Sequence, residues 1–418
     1  MLVRLYGLTA CLLTLLFMPL VVIAARDTPS EPYRPHIYHS AYPVITPENV
    51  GRLTPVAVLS FGSTDDGANA LYYPIWSPNG RYLTVTDGGP EDNWLSTGVF
   101  LYDVTDLDSP PRFFPQEGYV VSGFSPDSAW LVTSSRNSPL GHKTILWDVQ
   151  SGQPLFEFND ANGPYRHVWT NYDRTKMLIF YSGSYNGALQ VWDVESFQEI
   201  TTIPDVSTFR FNPAMTIVAF VSDHLGQPQR LFLYDIESRQ QVLVGTQENR
   251  LTGLAFSSDQ RFIATADDLG SIKLWDLSPG KSDMVLVTGE NYPSDYPLVQ
   301  FSPDGAMLAS WMFRGNTIRL WSVESGSLIV SLGGHSFPVY EELHSLELLV
   351  EFSSNGQIIA SSWPDGQTQD RNARLWNTTT GTLLLTLPEE FSASFSPDGS
   401  MLATDSTDGS IKIWAVQP

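Results

Sequence analysis

Apolar residues fall along the chain in short runs separated by polar turns, and the arrangement repeats. In Gly253 to Asp276, GLAFSSDQRFIATADDLGSIKLWD, one run ends at Phe256, a turn occupies Ser257 to Gln260, a second run begins at Phe262, and a third closes on Leu274-Trp275-Asp276. Runs of this length bounded by turn residues predict three short antiparallel strands. A fourth follows in most copies, as in Ser327 to Leu332. The unit recurs with drift eight times between residues 73 and 415. One four-stranded sheet cannot bury both its faces, but radially stacked sheets can. The expected fold class is therefore an all-β propeller of four-stranded antiparallel blades.

The third strands end at Tyr102, Trp147, Trp192, Tyr234, Trp275, Trp321, Trp376 and Trp414, with separations of 45, 45, 42, 41, 46, 55 and 38 residues. A first-strand aromatic recurs as Trp76, Phe124, Trp169, Phe211, Phe256, Phe301, Phe352 and Phe395. Large flat rings at fixed places suit packing between blades, so all sixteen are expected in the core. The count predicts eight blades. The alternative is seven, should the unit with the 55-residue spacing and the Asp365 to Arg371 insertion be displaced.

The last unit stops at Trp414-Ala415-Val416-Gln417-Pro418, without a fourth strand. Near the other end, Thr46-Pro47-Glu48-Asn49 carries the signature of a short helix, and Pro55 to Leu59 reads as an isolated strand. That strand is expected to complete the last blade and close the ring, which removes unpaired sheet edges. The propeller would then span residues 46–418, preceded by a Pro-rich flexible tether at 26–45. Met1 to Ala25 carries a single charge, Arg4, followed by a long apolar run. It is expected to be a cleaved signal peptide or an uncleaved membrane anchor, with a lipid attached at Cys11 as a third possibility.

Each reading of the leader makes the protein extracytoplasmic: secreted, periplasmic or on the outer face of a membrane. Cys11 is the only cysteine, so the remainder has no disulfide, thiolate nucleophile, cysteine-held metal or cluster. The formal charge of −22 repels phosphates and anionic lipid, so nucleic acid is not an expected partner, and a membrane only through the N-terminal anchor.

The strand ends Leu146-Trp147-Asp148, Val191-Trp192-Asp193 and Leu274-Trp275-Asp276, with tyrosine variants at Leu101-Tyr102-Asp103 and Leu233-Tyr234-Asp235, resemble those of WD40-repeat proteins. The turns Ser302-Pro303-Asp304-Gly305 and Ser396-Pro397-Asp398-Gly399 also resemble those of TolB-type propellers of the bacterial periplasm. The resemblance covers nearly everything after residue 52 and implies protein or peptide partners. It has departures. The family's Gly-His pair before the first strand survives only as Gly334-His335, so its hydrogen-bond network of His, Ser/Thr, Asp and Trp is not expected in most blades. His335 itself reads as a structural hydrogen-bonding group.

No catalytic motif appears: there is no Gly-x-Ser-x-Gly, and the one partial Asp box, Ser63 to Gly67, has Ala70 where an aromatic belongs. The seven histidines form no pair suited to a metal on one helix. No catalytic residue, metal or cofactor is expected. Turns between strands one and two and between three and four are short (Ser77 to Gly80, Ser257 to Gln260, Val323 to Gly326, Thr378 to Gly381), whereas the connections on the opposite face are long (Asp87 to Gly98, Arg136 to Lys143, Asp223 to Arg230, Gly289 to Tyr296, Gly333 to Leu346, Trp363 to Asn372). Loop elaboration on one face of a rigid ring suggests a binding surface. Trp94, Trp311 and Trp363 lie outside the repeated core columns and map to that face, with Tyr292, Tyr296 and Phe337. These six are the candidate anchors. The expected function is a monomeric, non-catalytic extracytoplasmic binding or scaffold module; the alternative is an extracytoplasmic enzyme or carbohydrate-binding propeller using the mouth of the central channel.

Overall fold

The alternation of apolar and polar residues builds strands throughout. The computed structural model describes residues 40–417 apart from 61–70, 88–95, 137–141, 161–165, 171–174, 182–186, 197, 223–227, 281–282, 288–296, 313–316, 336–347 and 363–369. A 3-10 turn, Val50–Arg52, leads into β1 (Leu53–Leu59). Next, β2 (Leu71–Trp76), β3 (Tyr82–Asp87), β4 (Ser96–Asp103), β5 (Arg112–Phe124), β6 (Trp130–Arg136), β7 (His142–Asp148) and β8 (Pro154–Asp160) pair in sequence as one seven-stranded sheet. A second seven-stranded sheet holds β9 (Arg166–Thr170), β10 (Lys176–Tyr181), β11 (Gly187–Asp193), β12 (Gln198–Phe211), β13 (Ile217–Ser222), β14 (Gln229–Asp235) and β15 (Gln241–Gln247).

Three four-stranded sheets follow. They are β16 (Leu251–Phe256), β17 (Phe262–Asp267), β18 (Ser271–Asp276) and β19 (Met284–Val287); β20 (Pro297–Phe301), β21 (Met307–Met312), β22 (Thr317–Ser322) and β23 (Leu328–Gly333); β24 (Leu349–Phe352), β25 (Ile358–Ser362), β26 (Asn372–Asn377) and β27 (Leu383–Pro388). The last sheet joins the chain's two ends: β28 (Glu390–Phe395), β29 (Met401–Ser406) and β30 (Ile411–Val416) are completed by β1, in the order β1-β30-β29-β28.

The fold is thus an all-β propeller of four-stranded antiparallel blades, closed by the N-terminal strand as expected. The count of eight discrete blades is corrected, because among the described residues the hydrogen-bonded sheets number six. The cause lies in two long strands. The first half of β5 pairs with β4 and its second half with β6, and β12 serves β11 and β13 in the same way. Each is the outer strand of one meander and the inner strand of the next, so no break separates the two.

One turn design recurs between first and second strands. At Ser77, Ser125, Ser257, Ser302, Ser353 and Ser396 the hydroxyl donates to the Asn or Asp two residues on, over 2.5–2.8 Å, and accepts the backbone N–H five residues on, over 2.8–3.0 Å. All six serines are buried, so each satisfies by itself polar groups that the turn takes out of water. The fourth residue of the turn has positive φ, 71° at Gly305 and 62° at Gln260, which is why glycine is favoured there.

The core lies between sheets. Trp147 packs with Val99, Leu101 and Phe114, and Trp275 packs with Ala219, Leu231 and Leu233, in each case residues of the preceding meander. Of the sixteen rings of the aromatic columns ten are buried, Trp275 2% and Trp376 5% exposed, and six, Phe124, Trp169, Trp192, Phe211, Phe256 and Trp414, are partly buried. One cluster, with Leu59, Trp76, Val85, Ile411 and Ile413, joins the last sheet to the first and completes the ring.

The N-terminal segment departs from expectation in two places. The short helix begins at Val50, one turn late, because Asn49 spends its side chain outside the helix, accepting from Thr46 N–H at 2.8 Å and donating to Val44 O at 2.8 Å. The end of the expected tether is also docked. Ser40 N–H donates to Asp398, Ile45 N–H donates to Gly399 O at 2.8 Å, and Ile45 is fully buried.

β1 covers the whole edge of β30, from Leu53 opposite Val416 to Leu59 opposite Ile411. Deleting residues 40–60 should therefore lower the melting temperature and give oligomers, read by calorimetry and size-exclusion chromatography, because an unpaired edge templates association. A truncated protein that melts as the parent does and elutes as the same species contradicts this role.

Candidate functional site

The sequence left one histidine in the family's position, and the structure puts it to structural use. Trp376 Nε1–H donates to Ser361 Oγ at 2.8 Å, Ser361 stands 2.7 Å from His335 Nε2, and His335 Nδ1 stands 2.9 Å from Asp370 Oδ2. Arg374 also donates to Asp370 at 2.7 Å. With its Nδ1–H given to the carboxylate, the imidazole accepts from the serine through Nε2. Burial, reinforced by the Arg374 charge and opposed by Asp370, lowers the His335 pKa, so the ring is neutral. It is a buried structural group.

Elsewhere among the described residues no histidine takes part in such a network, but its tryptophan-to-hydroxyl bond recurs. Trp147 donates to Thr133, Trp275 to Thr265, Trp321 to Ser310 and Trp414 to Thr404, over 2.8–2.9 Å. In three of these the histidine's part is taken by another acceptor. Thr133 donates to Gln116, Thr265 to Gln247 at 3.4 Å and Thr404 to Glu390 at 2.6 Å. Gln247 hands on to Asp267 at 2.8 Å, and Glu390, 1% exposed, is neutralised by Lys412. The requirement is an acceptor for a buried hydroxyl, which Gln and Glu meet as well as His does.

The strongest candidate for ligand chemistry lies instead on three inner strands. An indentation of about 340 Å³ is lined by Pro74, Ile75 and Trp76 of β2, by Glu351 and Phe352 of β24, and by Ser394 and Phe395 of β28, with the turn residues Ser354, Ser396 and Pro397. It opens at the short-turn end of these strands. Trp76 Nε1–H is held by Ser394 O at 3.1 Å, and Phe395 N–H donates to Glu351 Oε1 at 3.1 Å. Glu351 keeps part of its surface open but is otherwise enclosed by protein. Burial raises its pKa to about 7, against the hydrogen bonds from Phe395 and Ser394 that favour the ionised form. Among the described residues, no group of three or more His, Cys, Asp or Glu side chains could hold a metal ion.

Sequence reasoning missed Glu351. The residue before the first-strand aromatic is Ile75, Gly123, Val168, Arg210, Ala255, Gln300, Glu351 or Ser394 in turn, so a carboxylate in this inner column was the available signal. Of the six expected anchors, Trp94, Tyr292, Tyr296, Phe337 and Trp363 lie outside the described residues. Trp311 is described and is not an exposed ring: it sits within β21, 7% exposed, packed with Leu298, Ile318 and Phe352. The strand runs on to Met312, one residue past the tryptophan, and so turns the ring into the core.

Comparison with known proteins agrees with this architecture. The sequence model of the family described as "WD domain, G-beta repeat" matches residues 237–276 and 383–415, so these two segments are similar to WD40 repeats. The chain is similar to the Periodic tryptophan protein 2 homolog of Schizosaccharomyces pombe, at 25% identity over 82% of this chain and 45% of that protein. Autophagy-related protein 16 of Arabidopsis thaliana is 27% identical over 56% of this chain and 45% of its own length. Eukaryotic translation initiation factor 3 subunit I of Drosophila simulans is 25% identical over 44% of this chain and 58% of its own length. The chain spans about half the length of these relatives.

These matches speak for WD40 repeats and not for an exported, TolB-type propeller. The relatives are eukaryotic and are named for processes inside the cell, translation initiation and autophagy. They point away from the extracytoplasmic location expected from the first 25 residues, and that expectation is corrected. Residues 1–25 lie outside the described residues, among which no helix is long and apolar enough to cross a membrane.

Glu351 makes stability depend on pH with a definite sign. The folded carboxyl holds its proton up to about 7, against an ordinary value of 4.5. Between these values the folded state binds more protons, so the group's contribution is present below the lower value and is lost as pH rises through the higher one. Glu351→Gln removes the loss while keeping an acceptor for Phe395 N–H. It should melt close to the parent near pH 5 and above it near pH 8; a variant less stable than the parent near pH 8 contradicts the assignment.

Proposed function

We propose that the chain is a non-catalytic scaffold that holds a protein or peptide partner on the face bearing its long connections. The observation that carries this reading is the division of labour between the two ends of the strands. At one end, buried serines tie every described Ser-type turn to a few residues. At the other, β3 and β4 are separated by residues 88–95 and β25 and β26 by residues 363–371, while β17 and β18 are separated by only 268–270. A frame whose buried polar groups are spent on holding itself together can carry variable loops without losing its shape. The relatives lend support through their names, since one is a subunit of a translation initiation factor.

The rings assigned to contact are Trp94, Tyr292, Tyr296, Phe337 and Trp363. Trp311 is left out because it is buried. Partners isolated on the wild-type protein provide the test. Replacing Trp94 or Trp363 with Ala should weaken binding by about 30-fold, the equivalent of about 2 kcal/mol, with little change in melting temperature. Trp275→Ala should do the reverse and remove about 3 to 5 kcal/mol of stability. If Trp94→Ala and Trp363→Ala unfold the protein as Trp275→Ala does, the rings belong to packing and the face loses its anchors.

A further inference from the structure

Glu351 poses a problem that the scaffold reading does not absorb. A carboxyl group enclosed by protein is expected either to stay neutral or to meet an opposite charge. Glu351 meets none: its partners are the neutral Phe395 N–H and the Ser394 hydroxyl, and no Lys, Arg or His of the described residues bonds to it. The lining from β2 and β28 brings proline, isoleucine, serine and aromatic residues, and no further charge. By contrast Glu390 of the last sheet, 1% exposed, has Lys412. The space beside Glu351 is open, about 340 Å³, and is walled by Trp76, Phe352 and Phe395.

An acidic group without a counter-charge, beside aromatic rings, in an opening that solutes can reach, is the chemistry that recognises an organic cation. We propose that this indentation at the short-turn end of β2, β24 and β28 is a second binding site, which takes an ammonium or guanidinium group against the Glu351 carboxylate. It lies at the opposite end of the strands from the long connections, so it does not depend on the proposed scaffold face. The overall charge of −22 draws cations towards the protein at long range. The 340 Å³ space admits an amine-bearing side chain or a small free amine, and excludes a folded domain.

Binding and protonation compete for one carboxylate. Glu351 titrates at about 7, so its ionised fraction rises about tenfold between pH 6 and pH 8, and affinity for the cation rises by the same factor. Titration calorimetry, together with the indole N–H resonance of Trp76, reads this directly on the full chain. The probes are methylammonium, methylguanidinium, Nα-acetyl-lysine-methylamide and its Nε-acetylated neutral counterpart. The expected result is saturable binding of the charged probes, about tenfold tighter at pH 8 than at pH 6, with no binding of the neutral one. Glu351→Gln, which is expected to fold at least as well as the parent, should lose at least tenfold in affinity. Tighter binding of the lysine derivative than of methylammonium assigns the site to a side chain on a peptide, and equal binding assigns it to a free amine. The proposal is overturned if the charged probes do not bind, if the neutral probe binds equally, or if Glu351→Gln binds as the parent does.

Discussion

The pairing of β1 with β30 is the constraint on which the rest of the ring depends. Every other sheet is built from strands close in sequence, but the last one needs the two ends of the chain to meet. Without β1, β30 would present a row of unpaired N–H and C=O groups, and the apolar cluster around Leu59, Trp76 and Ile413 would lose one wall. The sequence of β1 suits the position. Pro55, which has no N–H to give, sits opposite Trp414 next to a register shift, and Val58 is 57% exposed, as expected of an outermost strand.

Within that closed ring, a second interaction repeats with changing chemistry. An indole N–H from the third strand needs a hydroxyl on the second, and the hydroxyl then needs an acceptor. His335, Gln116, Gln247 and Glu390 each supply it. Glu390 brings a charge and with it the need for Lys412. The network is therefore conserved in function within this chain while the residue drifts, and this explains how weakly similar units still pack as equivalent sheets. Asp276 and Asp193 at the ends of third strands show the same economy. Hydrogen bonds and the nearby Arg261 and Lys176 offset desolvation and hold both carboxyls down at about 2.

Much of this architecture was legible in the sequence, because period-two alternation and a tryptophan at fixed spacing report burial directly. The positions of the short turns and the closing strand followed from local chemistry. The shared strands did not. Asp205 takes φ of 57° within β12, and the strand continues through it without leaving the sheet. Trp311 was misplaced by one or two residues of strand length, enough to exchange a loop for the core. The acceptors Gln116 and Gln247 were hidden because a buried amide looks like any polar residue until its partner is known. The inner column containing Glu351 could be written down, but not which of its members share a wall, since that depends on strands brought together from opposite ends of the chain.

The central claim is that the N-terminal strand is an integral member of the ring. Native-state hydrogen exchange measures it most directly, through the amides of β1 and of β29. The account predicts that β1 amides facing β30 exchange with the same protection as β29, through opening of the whole sheet. Fast exchange of Leu53–Leu59 while Met401–Ser406 stays protected would contradict it, because the ring would then hold without its closing strand.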